Sequence, residues 1–143
     1  MTGDDRTEAL FGGFDGVVSA IGVIAPLVLT HAAASVIVIA AVGLAVNSGW
    51  SMAAGQFLSD TQGRVRLAFV MGVATLVFSF LPAAPFLLTG NQTIGGLAAL
   101  AITFAVGVVI AELRPGGRWR SLKLTFGVLL VGITLGSGWG LIQ

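Results

Sequence analysis

One acidic side chain lies where acidic side chains are costly. Asp15 is embedded in the apolar segment FGGFDGVVSAIGVIAP, which begins at Phe11. An Asp at the centre of a lipid-embedded helix costs roughly 2.5 to 3.5 kcal/mol, so carboxylates that persist there usually face a partner group or a water-filled pathway. Ser19 follows one helical turn later and would share that face. We therefore take Asp15 as the leading functional candidate, with Ser19 lining the same path.

A second set of candidates follows from helical spacing further along the chain. Polar or sulfur-containing side chains recur at intervals of four, four and three residues: Ser48, Met52, Gln56 and Ser59. That spacing places them along one stripe of a helix. A neighbouring stripe consists of small residues that allow close helix contact: Ala41, Ala45, Gly49 and Ala53. We expect one face of this helix to pack and the adjacent face to present oxygen, nitrogen and sulfur.

The elements that position these residues follow from three stretches without acidic or basic residues, 16–59, 67–111 and 124–143. About 20 residues at ~1.5 Å rise cross a hydrocarbon layer ~30 Å thick. Turn signals divide the stretches into five predicted helices at 14–30, 32–58, 67–88, 93–113 and 121–142. A hydrophobic content of 56% and a mean hydropathy of +1.01 also lie outside the range of soluble domains. The sequence predicts an all-α integral membrane protein with a single transmembrane domain over 1–143.

The basic residues predict the orientation. All seven precede the first helix or follow the second and fourth: Arg6, Arg64, Arg66, Arg114, Arg118, Arg120 and Lys123. Lys and Arg accumulate in cytoplasmic loops, so we expect a cytoplasmic N-terminus and an outside C-terminus. The leading segment MTGDDRTEAL lacks a basic region and a cleavage site, and we interpret it as a short cytoplasmic helix or tail. Short outside loops favour a prokaryotic inner (cell) membrane.

Composition excludes several classes. The chain has no cysteine, so disulfides and thiolate metal sites are excluded. The net charge of +1 is explained by topology, and we expect no nucleic-acid partner. Nothing in the sequence supports a covalent or hydrolytic enzyme, and we expect none.

Simpler roles are open for the same residues. Asp15 lies near the predicted start of its helix, where it could cap the first-turn amides. Met52 could fill a gap between helices, and Gln56 could donate an interhelical hydrogen bond. We expect Glu112 and Arg114 to form an exposed pair of little energetic consequence.

Two segments carry a family resemblance. SMAAGQFLS at 51–59, preceded by FDGVVSAIGVIA at 14–25, resembles the vacuolar iron transporter family, which is related to nodulin-like membrane proteins. Pro82 and Pro85 match the Pro-x-x-Pro pattern of the family's third helix, and the last two predicted helices are also similar. The resemblance covers most of the chain.

The resemblance implies a five-helix protomer that pairs about a two-fold axis. A pathway between the protomers would carry Fe²⁺ or Mn²⁺ out of the cytoplasm as transported ions, in exchange for protons, without a permanently bound cofactor. Asp15 and Met52 match the family's metal-binding positions, and Gln56 stands at a third. A carboxylate supplies a hard anionic oxygen and a thioether a soft, weakly held donor that permits release.

The chain departs from the family pattern at two places. Gln56 and Phe57 replace the Glu and Tyr of the motif, so one titratable acid is missing. The short 60–66 connection replaces a long Glu- and Met-rich extension that gathers metal, leaving Asp60 as the nearby negative charge at the cytoplasmic mouth. Two alternatives stay open: a transporter of altered cargo without proton coupling, and a nontransporting membrane subunit or scaffold with the same fold.

Overall fold

A computed structural model describes residues 3–114 and 118–140, and every regular element in these ranges is a helix. The elements are α1 (Gly3–Leu29), α2 (Ala34–Ser59), α3 (Val65–Phe80), a 3-10 turn (Leu81–Ala83), α4 (Ala84–Thr89), α5 (Gln92–Leu113) and α6 (Arg118–Gly140). Five helical segments, one of them α3 continued through α4, are long and apolar enough to cross a membrane. The expected all-α architecture with five candidate spans is therefore confirmed. The predicted end of the last helix, beyond residue 140, lies outside the described residues.

The first helix begins eleven residues earlier than the sequence predicted, at Gly3 rather than Phe14. Asp4 and Asp5 occupy its first turn, where carboxylates favour the positive end of the helix dipole. Both carboxylates also bind arginines, Asp4 the Arg64 of the α2–α3 turn at 3.0 Å and Asp5 the Arg66 in the first turn of α3 at 2.6 Å. The leading segment, interpreted as a short helix or tail, is consequently helical from Gly3 and continuous with the spanning helix.

Glycines bring α1 into backbone contact with α3. A Cβ atom at Gly12 would lie 2.5 Å from the carbonyl oxygen of Met71, and one at Gly16 would lie 2.6 Å from that of Thr75. Side chains cannot be accommodated at these separations, so only glycine permits this helix spacing. The contact fixes which side of α1 faces the core.

The small-residue stripe predicted on the second helix packs against α3 from the other side. Ala41, Ala45 and Gly49 are buried. A Cβ atom at Gly49 would lie 2.9 Å from the carbonyl oxygen of Gly72, and one at Gly72 would lie 2.6 Å from the Cβ of Ala53. The third span is thus held between α1 and α2.

The last helix meets α1 at the carbonyl that Pro26 leaves without a helical donor. Pro26 lies inside α1, and its ring nitrogen cannot donate to the carbonyl of Gly22. A Cβ atom at Gly136 would lie 2.6 Å from that carbonyl oxygen. The freed carbonyl therefore lies within a close contact between α1 and α6.

The third span is not one straight helix over 67–88. Pro82 lies in the 3-10 turn, and Pro85 lies in the first turn of α4. Neither proline can donate a backbone hydrogen bond, so the helix is interrupted between α3 and α4. The bend buries Phe86 against α5, where a Cβ atom at Gly95 would lie 2.5 Å from its ring.

The close contact of α1 with α3 makes a testable prediction. Gly16→Ala introduces a methyl group 2.6 Å from a backbone oxygen, whereas Gly22→Ala on the same helix meets nothing within 4 Å. We expect Gly16→Ala to lower the free energy of unfolding by about 1 to 3 kcal/mol and Gly22→Ala to leave it unchanged or slightly higher. Thermal unfolding in detergent measures both variants. Equal stability of the two would contradict the packing.

Candidate functional site

Asp15 lies in the interior of α1, not at its end. The helix starts at Gly3, so Asp15 is about three turns inside it and the first-turn amides are out of reach. The capping role is therefore wrong. The side chain is half-buried. Among the residues that the structure describes, it makes no hydrogen bond or ion pair.

The contacts of α1 define where Asp15 points. Gly16 faces α3, whereas a Cβ atom at Gly22 would meet nothing within 4 Å. Phe11, one turn before Asp15, is 59% exposed. Asp15 and Ser19 are both half-buried and therefore lie at the edge of the contact between α1 and α3.

The polar stripe of α2 borders its packed stripe, as the spacing predicted. Ser48, Met52 and Gln56 are half-buried, while the small residues beside them are buried against α3. Ser59 is exposed at the helix end, and its hydroxyl donates to the backbone carbonyl of Gln56 at 3.2 Å. Three of the four stripe residues thus lie at the edge of the helix packing.

Gln56 has a partner that sequence reasoning missed. Its Nε2 donates to Glu8 Oε1 of α1 at 3.1 Å. Glu8 is seven residues before Asp15, two helical turns away on nearly the same face. A carboxylate of α1 therefore adjoins the neutral side-chain amide of Gln56 on α2. The seven-residue spacing of Glu8 and Asp15 could have indicated that they share a helix face. It was not used because the leading segment was interpreted as lying outside the spanning helix.

The Glu8–Gln56 contact sets the relative heights of the candidates. Asp15 lies about 10 Å along the axis from Glu8, and Met52 lies about 6 Å from Gln56 on the antiparallel helix. Met52 is thus between the two carboxylates in height. Within the described residues, no hydrogen bond joins Asp15 to Met52 or to Gln56.

Asp60 is held by the α2–α3 turn. Its carboxylate accepts hydrogen bonds from the backbone amides of Gln62 at 3.0 Å and Arg64 at 2.9 Å, and from Arg64 Nε at 3.0 Å. The two amide bonds, followed by the Arg64 guanidinium, lower the pKa of Asp60 below its ordinary value. Arg64 also pairs with Asp4. The Asp60 carboxylate, expected to supply a free negative charge, is therefore already hydrogen-bonded. The α2–α3 turn is an ordered structure that binds α1 through Arg64.

Basic residues from separate segments meet at this end of the bundle. Arg6 donates from Nη2 to the backbone carbonyl of Leu113 at 2.9 Å, which brings the end of α5 to the start of α1. Glu112 pairs with Arg118 at 2.6 Å and not with Arg114, so that expectation was wrong. Arg114 follows the last residue of α5 in an extended conformation, whereas Arg118 begins α6.

Comparisons with known proteins give no relative. The chain matches no protein-family model, no curated protein and no solved structure. Over residues 3–114 and 118–140, no group of three or more His, Cys, Asp or Glu side chains is placed to hold a metal ion. The candidate carboxylates, Glu8 and Asp15, are therefore single groups separated along α1.

The hydrogen bonds at Asp60 predict a pH dependence. Because its folded-state pKa is lowered, its contribution to stability is present above the ordinary Asp value of about 3.9 and is lost as the pH falls through the lower folded-state value. Asp60→Asn should lower the melting temperature at pH 7, and the difference from wild type should vanish in acid. Glu112→Gln is the control for charge removal at the same end. A pH-independent difference would contradict the role of the carboxylate.

Proposed function

We propose that this chain is a divalent metal transporter that moves Fe²⁺ or Mn²⁺ out of the cytoplasm in exchange for protons. The pathway would run between two copies of the chain, along the faces of α1 and α2 that carry Asp15 and Met52. The observation that carries the proposal is the half-buried Asp15 carboxylate, which has no hydrogen-bond or ion-pair partner within the described residues.

A carboxylate in this position needs a compensating charge. Its cost in lipid falls when a cation binds it or when it takes up a proton. Both events neutralise the same oxygen atoms, so a metal ion and a proton compete for them. Release of one on binding of the other is the linkage that an exchanger needs.

Glu8 extends the donor set that the family resemblance implies. With Glu8 beside Gln56 at 3.1 Å, each protomer offers a second carboxylate two turns below Asp15. The Met52 thioether, between them in height, adds a weakly held donor that suits release. A second copy about a two-fold axis would double each ligand and supply the charge that a dication requires.

The arrangement of charge supports a direction. Arg6, Arg64 and Arg66 contact neighbouring segments at one end of the bundle. Under the positive-inside rule this end is cytoplasmic. Glu8 is nearer to it than Asp15, so an ion leaving the cytoplasm would meet Glu8 first. The five apolar spans agree with a multi-pass protein of a membrane, and we assign it to a prokaryotic cell membrane.

The second candidate is a chain of the same fold that moves another cargo without proton coupling, or that serves as a nontransporting subunit. Gln56 favours it, because an amide neither titrates nor balances charge and its Nε2 is already bonded to Glu8. Proton movement distinguishes an exchanger from an uncoupled transporter and from a nontransporting subunit.

Asp15→Asn tests the transporter. In liposomes with a metal-sensitive dye, we expect wild type to carry Fe²⁺ or Mn²⁺ and Asp15→Asn to reduce the flux at least ten-fold, because the amide keeps the shape but loses the charge. Glu112→Gln removes a carboxylate that pairs with Arg118 and should transport normally.

Equal flux through wild type and Asp15→Asn would remove Asp15 from the pathway, and absence of flux in correctly folded wild type would favour the scaffold. A pH-sensitive dye in the same vesicles should report proton movement against the metal. Metal flux without it would reject exchange and favour the uncoupled transporter.

A further inference from the structure

We propose that the basic end of the bundle holds an anionic phospholipid between α1, α5 and α6. The site consists of a polar head cavity of about 300 Å³ and an adjoining apolar cavity of about 450 Å³. The phosphate would lie in the first and the start of an acyl chain in the second. This binding does not depend on the proposed transport.

The head cavity carries cations without an ion-pair partner in the part of the chain that the structure describes. Arg6 and Arg114 both line it. Arg6 donates to the carbonyl of Leu113 at 2.9 Å, and neither arginine forms an ion pair within the described residues. Glu112 also lines the cavity, but its carboxylate is 2.6 Å from the guanidinium of Arg118. The cavity therefore has an excess of positive charge, which suits a phosphate.

The apolar cavity continues from the same residues into the membrane-spanning region. Thr7, Leu10 and Arg114 line both cavities, and Phe14 and Val128 line the apolar one. From Thr7 to Phe14 the apolar cavity follows α1 for about 10 Å, within the ~15 Å hydrocarbon depth of one leaflet. An acyl chain fits this shape and chemistry.

The combination selects a lipid over a soluble anion. A free phosphate would use Arg6 and Arg114 but would leave the apolar cavity without an occupant. Basic pockets between spanning helices at the cytoplasmic face are a recurrent site for anionic head groups. Phe11, one turn before Asp15, also lines the apolar cavity, so the lipid site borders the face of α1 that carries Asp15.

Native mass spectrometry of the full chain in detergent tests the proposal by titration with phosphatidylglycerol and with phosphatidylcholine of the same acyl chains. We expect wild type to prefer phosphatidylglycerol. Arg6→Gln and Arg114→Gln should each weaken its binding about five-fold, as one basic residue near an anionic head group contributes. Arg120→Gln removes the same charge from an exposed residue outside both cavities and should bind as wild type.

A second pair of measurements examines the apolar cavity. Val128→Phe, at a side chain that is 47% exposed, should fill the apolar cavity and weaken phosphatidylglycerol without impairing folding. Glycerol phosphate, which has the head group alone, should bind much more weakly than the lipid. Equal loss in Arg120→Gln, equal binding of the two lipids, or glycerol phosphate binding as tightly as the lipid would overturn the proposal. Phosphatidylglycerol bound to the monomer but absent from a dimer would also overturn the proposal, because this surface would then be the contact with a second copy of the chain.

Discussion

The backbone contact between α1 and α3 determines the orientation of everything else on the first helix. Gly12 and Gly16 admit the carbonyl oxygens of Met71 and Thr75 at distances where no side chain fits. A helix held this closely cannot rotate without a clash, since packed interiors tolerate little change of shape. Asp15 precedes Gly16 by one residue, so the same contact turns its carboxylate away from α3. The position of the functional candidate is thus a consequence of glycine packing.

A second constraint acts at the basic end, where the extension of α1 is tied to the α2–α3 turn. The Asp4–Arg64 pair is exposed on both sides and contributes little to stability. Asp5 is 1% exposed at its contact with Arg66, so this ion pair is less screened by solvent than the Asp4–Arg64 pair. These contacts keep α1 helical below the apolar span and bring Glu8 to Gln56. A carboxylate of α1 in this way lies beside the side-chain amide of α2.

The sequence predicted the helices better than it predicted which side chains pair between them. Charge-free stretches indicated five spans, and small residues at intervals of four indicated which face of α2 packs, because both depend only on local pattern. The start of α1 was wrong because Asp4 and Asp5 need arginines sixty residues away, which no local pattern reveals. The same error hid Glu8, and the partner of Glu112 was missed because it lies on the next helix. Partner identity depends on which helices adjoin, and hydrophobic periodicity does not encode that.

The account depends on Asp15 being an ion-binding carboxylate and not a tolerated defect in an apolar helix. Equilibrium binding of Mn²⁺ to the purified chain in lipid nanodiscs, followed by the loss of the free-ion electron paramagnetic resonance signal, examines this directly. We predict saturable binding by wild type, weakened at least ten-fold in Asp15→Asn, while Glu112→Gln binds as wild type. Identical Mn²⁺ binding by wild type and Asp15→Asn would contradict the account.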